Sequence, residues 1–168
     1  MISILVTGCA GFIGHGVTKI LLSKGYKVIG IDNLNHYYDK NLKLKRLDDL
    51  KNDKFIFYKK DICDRNLDKI FIKYKIKIVI NLAAQAGVRY SLKNPYAYFE
   101  SNLQGFGNIL ELSRKFKIKH LVYASSSSVY GLNKKVPFSE KDKVDSPSQV
   151  YAATKRANEL MAFSYSNL

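Results

Sequence analysis

The sequence predicts an α/β fold, a doubly wound parallel sheet, and three observations point to it. Five short apolar runs rich in β-branched residues recur along the 168 residues: ISILV (2–6), KVIGI (27–31), KFIFY (54–58), KIVINLAA (77–84) and HLVYA (120–124). Continuous runs of this length are the mark of strands buried on both faces. Helical patterns separate most of them, and strand–helix alternation implies parallel strands joined by right-handed crossovers. The turn after the first run carries three glycines, Gly8, Gly11 and Gly14, between a strand and a helix.

The elements follow in order. The first strand runs into GCAGFIG and then into a helix from Ile13 to Leu22. The second strand closes on Asp32. Asn33 to Lys51 is a longer connection, in which Leu42, Leu44, Leu47 and Leu50 predict a short helix. A helix from Leu67 to Tyr74 follows the third strand, and a longer one from Pro95 to Phe116 follows the fourth. Proline suits the first turn of a helix, where its missing N–H costs nothing. After the fifth strand comes ASSSSVYG (124–131), and a helix from Gln149 to Tyr165 closes the chain. There is no repeat and no linker, so residues 1–168 read as one domain.

Composition excludes several classes. With 46% hydrophobic and 12% aromatic residues the chain can build a core and is not disordered. No apolar run reaches the roughly 18 residues of a membrane span, and MISILVTG lacks the basic leader and cleavage site of a signal peptide. Cys9 and Cys63 show no CxxC or Cys/His spacing, so free thiols are expected rather than a metal site or a disulfide. The expectation is a cytoplasmic protein with no membrane partner. The net charge of +14 would suit nucleic acid only if the basic residues shared one face. They are spread over the chain, and KLKR (43–46) and KYKIK (73–77) are interrupted by apolar residues, so no nucleic-acid partner is expected. A basic field also favours a strongly anionic small substrate.

Two patterns carry chemistry. The glycine turn could be merely a tight βα connection. Its place between strand and helix, with Asp32 ending the next strand, reads instead as a dinucleotide site. Glycines let the backbone approach a pyrophosphate at the helix N-terminus, where amides and dipole favour anions. Asp32 would accept hydrogen bonds from the adenosine ribose and repel a 2′-phosphate, favouring NAD over NADP. The second pattern is YAATK, with Tyr151 and Lys155 four residues apart on one helix face. A half-buried aromatic beside a snorkelling lysine would look the same. The functional alternative is a phenolate base. Bringing a phenol from about 10 to near 7 requires about 4 kcal/mol, and a cation ~4 Å away at an effective dielectric of ~20 supplies about that much.

Together with NLAAQAGVRYS (81–91), GIDNLNHYYDKNLK (30–43) and YASSSSVYG (123–131), these motifs resemble the extended short-chain dehydrogenase/reductase family. The likeness is to its sugar-nucleotide epimerases and dehydratases, and most of all to UDP-glucuronate 4-epimerases. It implies an NAD-binding Rossmann fold and makes Ser126, Tyr151 and Lys155 the catalytic trio. Tyr151 would take the proton of the sugar's 4-hydroxyl while hydride passes to the nicotinamide. The 4-keto sugar would then turn over and regain hydride on its other face. By the same resemblance Gly8, Gly11, Phe12, Ile13, Gly14, Asp32, Asn33, Asn35, Asp61, Ile62, Leu82, Ala83, Ala84, Gln85, Asn102 and Ser125 line the cofactor with Tyr151 and Lys155. Gly87, Arg89, Ser126, Ser127, Ser128 and Tyr151 would meet a UDP-sugar, Arg89 through its carboxylate, although Arg89 could equally be a solvated loop residue.

The resemblance also narrows the reaction. Dehydratases and decarboxylases of this superfamily place acids after the catalytic Ser/Thr, whereas Ser127 and Ser128 follow Ser126 here. That argues for epimerisation of UDP-glucuronate to UDP-galacturonate. UDP-glucose 4-epimerase, another sugar-nucleotide epimerase or dehydratase, or a non-catalytic NAD-binding module remain alternatives. Family members carry a further substrate domain after the tyrosine–lysine helix. The C-terminal substrate domain is therefore expected to be absent and the 168-residue chain inactive alone. Family members also pair through helices equivalent to 95–116 and 149–165, so a homodimer is expected there.

Overall fold

A computed structural model describes residues 2–168, and the chain divides into two compact units. The first comprises Met1–Ala83 and Asn108–Tyr123, and the second Ala84–Gly107 and Ala124–Leu168.

The first unit holds the sheet: β1 (Ser3–Thr7), β2 (Lys27–Asp32), β3 (Phe55–Lys59), β4 (Ile78–Asn81) and β5 (His120–Tyr123). All neighbours are parallel, in the order β3-β2-β1-β4-β5. Alternation along β1 sends side chains to both faces. Leu5 joins Ile29, Ile31, Phe71, Val79 and Ile109 on one side, while Ile4 and Val6 join Cys9, Val28 and Leu50 on the other. Helices cover both cores. α1 (Phe12–Ser23) and α2 (Lys40–Asp49) feed the second through Leu22 and Leu47, and α3 (Asp68–Tyr74) feeds the first.

Strand order reverses at β1, since β2 leads off one side and β4 lies on the other. Ligands of doubly wound sheets bind at that switch point, beyond the strand C-termini. The register brings those termini level, pairing Thr7 with both Ile31 and Asn81. Thr7 donates its hydroxyl to Asn81 Oδ1 (2.6 Å) and accepts from Ala83 N (3.1 Å). β4 spans Ile78–Asn81, so the sequence-based strand 77–84 is one residue too long at its start and three at its end.

The short helix expected from four leucines exists as α2, but its buried face differs from the leucine pattern. Leu42 and Leu44 are each 44% exposed, while Lys43 between them is 6% exposed. Lys43, Leu47 and Leu50 form the inner face at i, i+4 and i+7.

The second unit contains α4 (Tyr90–Lys93), α5 (Tyr96–Tyr98), a π-helical turn (Phe99–Gly105) and α7 (Val150–Ser166), while α6 (Phe106–Lys115), which continues from the π turn, belongs to the first unit from Asn108 on. The helix expected over 95–116 is thus not one regular α-helix. A π turn adds a residue to the ladder, a frequent mark of functional sites. Buried Asn102 lies inside it.

Candidate functional site

In the first unit the glycines have different duties. Gly8 takes φ +69°, and a Cβ there would stand 2.8 Å from Ala83 N. A Cβ on Gly14 would stand 2.0 Å from Gly8 O. Both positions are closed to any side chain by the fold itself. At Gly11 a Cβ would meet only Gly8 O, at 3.1 Å. That is a tight contact with a backbone oxygen, so a methyl at Gly11 would require the turn to give by a few tenths of an ångström. The first turn of α1 has no side-chain cap and no acidic residue, and Phe12 and Ile13 are exposed. Uncapped amides with a residual positive dipole, beside the glycine turn, fit a pyrophosphate.

At the end of β2, Asp32 is 6% exposed. Its Oδ2 accepts from Ala10 N (3.2 Å), and its Oδ1 accepts from Leu34 N (2.8 Å) and Lys43 Nζ (3.4 Å). Leu34 sits at φ +54°, a left-handed conformation that costs a leucine about 1–2 kcal/mol. Such strain is characteristic of binding sites. It lies between Asn33, which donates to Asp61 Oδ2 (2.7 Å), and Asn35, which accepts from Lys43 Nζ (2.9 Å). Asp61 Oδ1 accepts from Cys63 N (2.9 Å). Ile62 buries its side chain in the core, and its carbonyl accepts from Asn108 Nδ2 (2.7 Å). The sequence-predicted residues Gly8, Gly11, Gly14, Asp32, Asn33, Asn35 and Asp61 thus stand at the C-terminal ends of β1, β2 and β3. Lys43 was missed. Its spacing to Leu47 and Leu50 was the available signal.

In the second unit, Asn102 locks the loop that follows β4. Its Oδ1 accepts from Gln85 N (2.8 Å), and its Nδ2 donates to Gln85 O (3.1 Å) and to Thr154 Oγ1 (3.1 Å). Asn158 Nδ2 donates to Asn102 O (2.6 Å). A buried amide with both hydrogens committed fixes its partners firmly. Tyr98, fully buried, donates toward the carbonyls of Ala86 (2.8 Å) and Gly87, and its ring meets that of Tyr151 edge-on. Sequence patterns gave no hint of Tyr98. Arg89 is exposed at the start of α4, and Ala84 is exposed as well.

The serine run ends in a tight turn, not a linker. Ser126 caps a 3₁₀ turn over Ser127–Tyr130, its Oγ accepting from Ser128 N (3.2 Å) and lying 2.9 Å from Ser128 Oγ. Ser127 is exposed, and Ser125 donates to Glu159. Lys155 is 5% exposed and makes no hydrogen bond among the described residues. Burial pushes its ammonium below the usual lysine value, and Glu159, one turn further along α7, opposes part of that. Glu159 is itself held by Arg156 Nη1 (2.8 Å). Cys9 is buried, and burial first, then the Asp32 charge, push its thiol far up. No cluster of three metal-ligating side chains occurs among the described residues, and no helix is long and apolar enough to cross a membrane.

Comparison with known proteins follows this geometry. The UDP-glucuronate 4-epimerase of Thermodesulfobacterium geofontis is 50% identical over 166 residues, covering 98% of this chain and 51% of its own. The crystal structure of UDP-glucuronic acid 4-epimerase from Bacillus cereus, in complex with UDP-glucuronic acid and NAD, superposes with a TM-score of 0.91 at 33% identity. This chain covers 52% of it, and 99% of this chain is matched. UDP-glucose 4-epimerase from Thermotoga maritima, solved with UDP-glucose, gives 0.86 at 32% identity, with 99% and 52% coverage. The chain spans about half the length of the curated relatives it matches. The family pattern described as GDP-mannose 4,6 dehydratase matches residues 5–168. Residues 5–168 cover nearly the whole sequence, from β1 to the end of α7, and on that match the chain belongs to the GDP-mannose 4,6 dehydratase family.

Proposed function

We propose that this chain is the dinucleotide-holding and catalytic part of an NAD-dependent 4-epimerase of nucleotide sugars, interconverting UDP-glucuronate and UDP-galacturonate. One observation carries the reading furthest. Lys155 is a buried cation with no hydrogen-bond partner among the described residues, on the same helix as Tyr151. An unpaired ammonium in the interior destabilises a fold. A function beside the phenol accounts for its presence.

Bound NAD would supply a reversible hydride acceptor. Gly8, Gly11, Gly14 and the α1 amides hold its pyrophosphate, Asp32 its adenosine ribose, and Asp61 with Ile62 its adenine. Leu82, Ala83, Ala84, Gln85, Asn102 and Ser125 complete that lining. Tyr151 accepts the 4-hydroxyl proton and later returns it, so no net proton is consumed. Lys155 lowers the charge cost of the phenolate, and Ser126 donates to the sugar oxygen as it changes bond order. The run Ser126-Ser127-Ser128 offers no acid for elimination at the neighbouring carbon, which favours epimerisation over dehydration. Arg89 supplies a guanidinium suited to a uronate carboxylate. Tyr96, Phe99, Leu160 and Phe163, exposed on the helices around 95–116 and 149–165, support pairing of two copies there.

The test is a chimera in which this chain replaces the matching half of the Thermodesulfobacterium epimerase. Turnover of UDP-glucuronate, lost at least ~1,000-fold in Tyr151→Phe, supports the reading. A chimera that binds NAD yet leaves the sugar unchanged sinks it in favour of a binding module. The likeness to UDP-glucose 4-epimerase supports a second reading, which Arg89→Ala separates. A loss confined to the uronate favours the first.

A further inference from the structure

The KYKIK stretch (73–77) reads as a solvated face in the sequence, but the fold gathers its first lysine with others at the edge of the sheet. Between edge strand β3 and α3 opens a cavity of about 310 Å³, lined by Tyr58, Lys60, Asn66, Lys69, Ile70 and Lys73. Three ammonium groups share this small space, and of these only Lys60 has a carboxylate, Asp64 at 2.6 Å. Lys73 Nζ donates to Tyr58 Oη (3.5 Å) and lies 5.3 Å from the centroid of the Tyr74 ring. Lys27 Nζ adds a further cation 5.2 Å from the same centroid. Lys69 Nζ has no partner among the described residues. Lys69 and Lys73 stand four apart on one face of α3, where like charges repel. Lysines on an edge strand deter pairing with other chains, and exposed Lys59 does so on β3. That need does not extend to α3. The hydroxyls of Tyr58 and Tyr74 are 2.8 Å apart. The bond from Tyr74, and after it Lys73, pull the Tyr58 phenol below its usual value. Tyr58 is therefore the acceptor of that pair, and its own hydrogen is left for the cavity.

We propose that this cavity is an anion site for a compact, multiply charged phosphate of the class of inorganic pyrophosphate. Lys60, Lys69 and Lys73 against Asp64 leave a surplus of two positive charges, which such an anion matches. Lysine suits the task as a point charge that meets phosphate oxygens without a planar fork. The Tyr58 hydroxyl and the Asn66 amide, one of whose hydrogens goes to Asp64 Oδ1 (3.2 Å), add directed donors. Ile70, 6% exposed, supplies an apolar wall that keeps water from one side. A bound anion removes the repulsion between Lys69 and Lys73 and ties α3 to the edge of the sheet. The site lies wholly in the first unit and shares no residue with the glycine turn, so it stands or falls apart from the dinucleotide reading.

Amide chemical-shift mapping of the 168-residue chain during titration with inorganic pyrophosphate, at constant ionic strength, reads the two anion sites separately. Shifts at residues 58–73 are expected to saturate with a Kd of about 1 mM or tighter. Replacing two partly screened charges together, Lys69→Gln with Lys73→Gln, should weaken that binding about tenfold or more. Any response at residues 8–14 should be unchanged by the pair of substitutions. Lys69→Gln alone, at an exposed side chain without partners, should show part of the loss and serves where the double variant unfolds. A response confined to residues 8–14 overturns the site while leaving the glycine turn its phosphate. Absence of any response, the same shifts with sodium chloride alone, or a Kd unchanged in the folded variants overturns it as well, and leaves these lysines a solvated surface.

Discussion

The ring of Tyr98 meets the ring of Tyr151 edge-on, with centroids 5.9 Å apart and planes at 74°. The same Tyr98 hydroxyl points to the carbonyls of Ala86 and Gly87. One buried side chain thus fixes both the proposed base and the loop that follows β4. Tyr98→Phe keeps the ring contact but removes the hydroxyl donor to the part-buried Ala86 and Gly87 carbonyls, of which Ala86 O keeps Gln85 Nε2, and should cost about 0.5–1.5 kcal/mol in urea unfolding. Tyr98→Leu should cost about 0.5–1.5 kcal/mol more, the worth of an aromatic pair. A phenylalanine variant as stable as the parent would contradict the assignment.

The glycines of the first turn should separate by readout. Gly14→Ala forces a methyl against Gly8 O and is expected to abolish cooperative folding. Gly11→Ala should cost less than Gly14→Ala and leave the chain folded, because its methyl would stand 3.1 Å rather than 2.0 Å from Gly8 O on an extended backbone that alanine can adopt. It should nevertheless lose NAD binding. Circular dichroism and calorimetry distinguish the two, and NAD binding retained by folded Gly11→Ala would remove the turn from the phosphate site.

Gly16 lies inside α1, where a Cβ would meet nothing within 4 Å. Gly16→Ala should therefore stabilise the chain by up to about 1 kcal/mol through helix propensity alone. In a chain of this size that corresponds to roughly 2–4 °C in Tm. A lower Tm would mean that the outer surface of α1 is covered.

Lys155 should show opposition between stability and function. Its pKa is lowered by burial in the folded chain, so between the folded and unfolded values the unfolded chain binds more protons. Stability therefore rises as pH climbs through that window, and the burden is fully present below it. Lys155→Met removes the burden and should raise Tm by about 3 °C or more at pH 7. The gain should narrow toward alkaline pH as Lys155 in the parent loses its proton. Destabilisation at pH 7 would show instead that Lys155 is satisfied where it lies.

Features that repeat within a few residues were legible in the sequence. Strands β1, β2, β3 and β5 and helices α1, α3 and α7 follow local periodicity, and the glycine turn and YxxxK follow fixed spacing. What escaped depends on partners far along the chain. Lys43 belongs to the inner face of α2 because Asp32 and Asn35 receive it, 11 and 8 residues away. The last residue of β4, Asn81, accepts from the Thr7 hydroxyl, 74 residues before it. Asn102 was placed at the cofactor by resemblance. Its amide hydrogens are committed to Gln85 and Thr154, the latter 52 residues off. Hydrophobic periodicity carries no information on such pairings.

The π-helical turn at Phe99–Gly105 means that the path from Tyr98 to Gly107 is one residue longer than a regular α-helix needs. Losing a single residue usually ruins a helix, because everything beyond the gap rotates by about 100°. Here the same loss would leave a well-formed α-helix with its ladder complete. The rotation would fall instead on Tyr98 and Asn102, which would swing away from Tyr151 and Thr154. A shortened gene could therefore yield a protein with full helical content and no site. Far-ultraviolet spectra would not reveal the damage, whereas tyrosine environment and ligand binding would.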